Sequence, residues 1–207
     1  VALAGAAVGA ARAGADSLSG IMAVKALAPM ALLCVAAFTK SAQMPFQSWL
    51  LGAMVAPTPV SALLHSATMV KAGSYLVLRL APAFSGQKLM FLVAIAGAFT
   101  FAVASTLAVG QSNAKKVLAY STISHVGFIL MGFIAGTENG VRDAMYYTIV
   151  YVLMATAAFG MIILLSRRGF EAERIEDFKG LSQRSLWFAV VMVLIMCSMI
   201  GVPPLVG

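Results

Sequence analysis

Two lysines and a histidine stand where ionisable groups are expensive. Lys40 lies in "AAFTKSAQMPFQSW" (residues 36 to 49), and His65 and Lys71 lie in "TPVSALLHSATMVKAGSYLVLRL"; both runs are otherwise apolar. An ammonium at the centre of a spanning helix costs roughly 2.5 to 3.5 kcal/mol on insertion scales, so it faces a bundle interior or water and marks an ion path. Pro45 follows Lys40 closely and removes a backbone hydrogen bond, which predicts a helix break near Pro45 beside the charge. Broken helices at ion sites are a recurring transporter device. The chemistry on offer is therefore proton transfer. A lysine can bind a proton, hold it and release it as its surroundings change.

Helical spacing sets out the rest of the path. Ser61, His65, Thr68, Lys71 and Tyr75 recur at threes and fours and so form one winding stripe of the predicted second span. His65 and Lys71 are then about 9 Å apart along the helix axis, which leaves Thr68 or water to bridge them. In "NAKKVLAYSTISHVGF", Tyr120, Ser121, Ser124 and His125 make a deeper polar patch, suited either to a relay or to hydrogen bonds that glue helices together. Lys115 and Lys116 read as anchors at the membrane edge. Every acidic residue falls in a loop or at a helix end, so the buried lysines have no carboxylate partner in this sequence.

The elements that must position these groups are membrane helices. Of 207 residues, 61% are hydrophobic and 10% charged, far outside the usage of a soluble domain. The net charge of +7 is scattered between apolar runs, which argues against nucleic acid as a partner and for loops that anchor spans in a bilayer. Hydropathy and turn residues predict an all-α polytopic bundle of about six spans, near 24–50 (broken), 59–80, 88–109, 115–135, 142–166 and 185–201. Residues 1–23 read as the end of a truncated helix and a loop, and 24–207 as a proton-translocating transmembrane domain, itself a fragment of a larger subunit. The excess of Lys and Arg beside the polar stretch 167–184 predicts that this loop faces the cytoplasm. Cys34 and Cys197 are isolated packing residues. No metal-ligand spacing and no nucleotide-binding glycine motif occurs, so no cofactor is expected in this chain.

The stretch "FTKSAQMPFQSWLLGAMVAPTPVSALLHSATMVKAGSYLVLRLAP" resembles the antiporter-like subunits of respiratory complex I (NADH:quinone oxidoreductase), Mrp sodium/proton antiporters and energy-converting hydrogenases. The later "NAKKVLAYSTISHVGFILMGFIAGT" and "GVPPLVG" are most similar to the subunit N branch. The resemblance implies that Lys40 and Lys71 are proton carriers and that His65 matches a histidine of some members. It implies a bacterial inner membrane, other membrane subunits as partners, and NADH and quinone used elsewhere in the complex. It also implies a glutamate on an earlier helix and a terminal ionisable residue, neither within this sequence. The alternatives are a hydrogenase or Mrp subunit, or a purely structural spacer.

Overall fold

The computed structural model describes residues 2–12, 14, 20, 27–66, 68–84, 88–132, 137–167 and 170–203. Asp16, Lys25, Arg168 and the terminal Pro204 to Gly207 lie outside the described residues, as does most of the loop assigned to residues 13–23. Ten helices are described: α1 (Ala2–Arg12), α2 (Leu27–Lys40), α3 (Ser48–Gly52), α4 (Thr58–Ser66), α5 (Met69–Phe84), α6 (Lys88–Val109), α7 (Ala114–Gly132), α8 (Glu138–Leu165), α9 (Leu181–Arg184) and α10 (Leu186–Ile200). Short 3-10 turns cover Ala53–Val55 and Ile175–Phe178.

The exterior is apolar, and a few polar groups are buried among an apolar core. Phe91, Phe99, Ile149, Leu153 and Trp187 are exposed, whereas Gln43, His65, Lys71 and Lys115 are buried. That pattern suits lipid outside and a polar path within. With 22 and 28 residues, α6 and α8 are about 33 and 42 Å long, enough to cross a hydrocarbon core of about 30 Å. The apolar helices α1, α2 and α10 are shorter.

Small residues let the helices touch backbone to backbone. A Cβ on Gly97 would sit 2.7 Å from the Gly127 carbonyl, and one on Gly127 would sit 2.6 Å from that of Gly97, so α6 and α7 cross at this pair. Gly73 does the same for α5 and α2. A Cβ there would lie 2.4 Å from the Ala37 carbonyl and 2.7 Å from the Ser41 nitrogen.

The first break is real but starts earlier than Pro45. Helix α2 ends at Lys40, and Ala42 adopts the left-handed conformation with φ +53°. The Gln43 N–H donates to Phe38 (3.0 Å) and the Ala42 N–H to Thr39 (3.4 Å), the hydrogen-bond pattern of a Schellman cap. Lys40 is thus the last helical residue and exposed, not buried in mid-helix. Freed backbone groups find partners nearby: the Trp49 indole donates to the Thr39 carbonyl (2.9 Å), and the Met44 N–H to Thr100 Oγ1 (3.3 Å). The Met44–Pro45 peptide is cis.

A second break was not expected. The predicted 59–80 span is two helices, α4 and α5, separated between Ser66 and Met69. Ser66 Oγ donates to the Ala62 carbonyl (2.6 Å) and Thr68 Oγ1 to that of Leu63 (2.9 Å). Hydroxyls that bond nearby backbone in this way compete with helix continuation.

Candidate functional site

The centre of the site is Lys71, in the first turn of α5 and 7% exposed. Its Nζ has no hydrogen-bond partner among the described residues and lies 4.0 Å from the centroid of the Tyr151 ring of α8. From α4 comes His65, fully buried, its ring 5.5 Å from Phe159 and neither nitrogen hydrogen-bonded among the described residues. From α7 comes His125, whose ring is 4.5 Å from Tyr151 and whose Nδ1 is 2.6 Å from the Tyr147 hydroxyl. A cavity of about 210 Å³ opens beside Lys71, lined by Ser74, Tyr75, Ile129, Thr148 and Ile149.

Helices α5, α7 and α8 therefore bring ionisable or hydroxyl groups together, while His65 of α4 packs on Phe159 of α8. The order is Lys71, Tyr151, His125, Tyr147, with Tyr151 held in place by donating to Thr122 Oγ1 (2.9 Å). Among the described residues no carboxylate pairs with the Lys71 ammonium. The break between α4 and α5 serves this geometry, since it sets His65 and Lys71 on separate short helices. Lys40 is not part of the cluster. Gly73, two residues after Lys71, instead brings the backbone of α5 against the helix end that carries Lys40.

A family model described as "NADH:quinone oxidoreductase/Mrp antiporter, TM" matches residues 15–207. The chain belongs to that family. Among its relatives, NADH-quinone oxidoreductase subunit N of Thioalkalivibrio sulfidiphilus is 47% identical over 175 residues, covering 81% of this chain and 36% of the relative. The subunit N of Acidithiobacillus ferrooxidans is 48% identical over 167 residues, 79% of this chain and 34% of the relative. The chain thus spans about a third of the length of these relatives. The solved Mrp complex from Dietzia sp. DQ12-45-1b superimposes with a TM-score of 0.81 at 34% identity, over 98% of this chain and 23% of that one. An archaeal membrane-bound sulfane sulfur reductase shares the fold, with a TM-score of 0.83 at 24% identity, over 98% of this chain and 44% of that one.

Within this antiporter-family bundle, three residues assigned to the path by helical spacing point elsewhere. Thr68 is exposed and its hydroxyl turns back to Leu63, so it does not bridge His65 to Lys71. Tyr120 packs with Ala42, Leu50 and Val70. Ser124 lies 2.7 Å from Ser105 Oγ and joins α7 to α6. The polar patch of α7 is therefore split: Ser124 glues helices, while His125 turns to the cluster. Tyr151 and Tyr147 are the residues that sequence reasoning missed. Their signal was present in "YYTIVY", where a four-residue spacing puts them on one face of α8.

Lys115 also differs from its reading as an edge anchor. It is 1% exposed and paired with Glu171 and Glu173, the latter at 2.5 Å. Thr58 Oγ1 donates to Glu171 (3.0 Å), and the Ile175 N–H to the Ser112 carbonyl (3.0 Å), so the loop after α8 is latched onto the starts of α4 and α7. The hydrogen bond from Lys115 holds the Glu171 carboxyl below the usual carboxylate range. A carboxyl depressed on folding contributes fully above its unfolded pKa of about 4.3 and loses that contribution as pH falls through the lowered value. Amide exchange at Ala114 and Ile175, corrected for intrinsic rate, is expected to rise in that acid window. Lys115→Met should raise it already at neutral pH. Unchanged protection in that variant would show that the pair does not hold the loop.

Proposed function

We propose that this chain is the proton-conducting part of a membrane subunit of NADH:quinone oxidoreductase. One observation carries the reading: Lys71, buried and without a carboxylate partner among the described residues, faces the Tyr151 ring, on which His125 also packs. The naming of its relatives as subunit N, at 47% identity, supports this host over the alternatives. Lys40 and Lys71 are the carriers, and His65 and His125 relay protons to and from Lys71. Thr68, Tyr120 and Ser124 stay off the path. A proton leaving the Lys71 ammonium for an imidazole nitrogen leaves a neutral amine and an imidazolium, so charge moves without any redox change in this chain.

The subunit would sit in the bacterial inner membrane among other membrane subunits, with about six spans, the first two broken, and the 167–184 loop in the cytoplasm. Oxidation of NADH and reduction of quinone would take place elsewhere in the complex. Moving each charge against a potential costs about 2.3 kcal/mol per 100 mV, so the lysine states need that external driver. The test is the identity of the driver. In vesicles holding the complete complex, NADH should drive proton movement in sodium-free buffer. Proton movement driven by a sodium gradient without any electron donor would favour the Mrp-type alternative.

A further inference from the structure

We propose that the ring face of Tyr151 is the partner of the Lys71 ammonium, positioning this proton carrier where an ion pair would otherwise be needed. The inference deepens the proton-conduction reading and rests on it.

Three observations converge on Tyr151. Its side chain is fully buried, and the Lys71 Nζ sits 4.0 Å from the ring centroid, inside the range of a cation–π contact. No hydrogen bond or ion pair reaches that Nζ among the described residues. The ring is also fixed: its hydroxyl donates to Thr122 Oγ1 at 2.9 Å, Thr122 in turn donates to the Leu118 carbonyl at 2.9 Å, and the His125 ring lies 4.5 Å away. The contact is thus set by α7 and α8 and not by Lys71 alone.

The chemistry of a ring suits a group that must let go of its proton. A carboxylate binds an ammonium through a full charge and would hold it protonated. The ring quadrupole attracts the ammonium less strongly and has little hold on the neutral amine. Lys71 is therefore kept in one place in its charged form, yet remains able to give its proton up. The hydroxyl of Tyr151 serves to orient the ring through Thr122.

The experiment replaces Tyr151 in the complete complex with phenylalanine carrying none, one or three ring fluorines, which preserves shape while draining the ring face of negative potential. Tyr151→Leu and Lys71→Met are made alongside. Within the phenylalanine series, proton uptake per electron transferred is expected to be highest for Tyr151→Phe, to fall stepwise with fluorine, and to end about tenfold below Tyr151→Phe with three. Fluorination should also lower the melting temperature of the assembled complex, and should not do so in the Lys71→Met background. A flat series in both readouts, or a Tyr151→Phe as damaged as Tyr151→Leu, overturns the inference. Normal pumping by Lys71→Met sinks the proton reading itself, and the melting comparison then decides the contact independently.

Discussion

Vesicles containing the complete complex with Lys71→Met are expected to take up protons at least about tenfold more slowly than the parental complex. Methionine fills a similar space with an unbranched, adaptable side chain and carries no ionisable group. A buried ammonium without an ion-pair partner is a cost to the fold, so its removal should leave the melting temperature unchanged or raised. Lost transport with kept stability is the signature of a functional lysine. Lys71→Arg should fail as well, because a guanidinium can still stack on the Tyr151 ring but holds its proton throughout the working range. A loss of transport that always came with poor assembly would instead mark Lys71 as structural.

At Lys40 the two substitutions should separate in stability while agreeing in transport. Lys40 is the last residue of α2, where a positive charge favours the helix dipole by about 0.3 to 1 kcal/mol. Lys40→Arg retains that contribution and Lys40→Met loses it, so only the methionine variant should melt lower. Neither can exchange a proton near neutral pH, and proton uptake should fall by at least about tenfold in both. Initial uptake rates and thermal melting of purified complex decide the matter. Normal uptake by Lys40→Arg would remove Lys40 from the path and leave it as a helix cap.

Lys71 and His65 were legible because their polarity stands against an apolar background, and burial follows from that cost. Helix breaks were harder to see. A Schellman cap ordinarily announces itself by glycine at the left-handed position, but Ala42 occupies it here, so attention falls on Pro45, three residues too late. The break between Ser66 and Met69 was hidden for another reason. Ser and Thr at helical spacing look like a polar stripe, and only the bond from Thr68 to Leu63, one residue beyond the helical i−4 partner, sets this site apart. Thr68 was misplaced on the path as a result. Long-range pairs left no local trace either: Lys115 meets Glu171 across 56 residues, and Lys71 meets Tyr151 across a helix boundary. The loop after α8 folding back onto α7 makes the first pair and the approach of α5 to α8 the second, and hydropathy registers neither.

If an exchangeable amine at position 71 carries the proton, chemical rescue of a truncated side chain should restore transport. Proton uptake by the complete complex with Lys71→Ala is measured with added methylamine or ethylamine, and separately with tetramethylammonium. The small amines can refill the truncated site and both take up and release a proton; the quaternary ion restores charge without an exchangeable proton. Lost uptake is expected in Lys71→Ala, with concentration-dependent recovery on adding the primary amines and none with tetramethylammonium. Parental uptake in Lys71→Ala, or equal recovery with the quaternary ion, would contradict a proton-carrying amine at position 71.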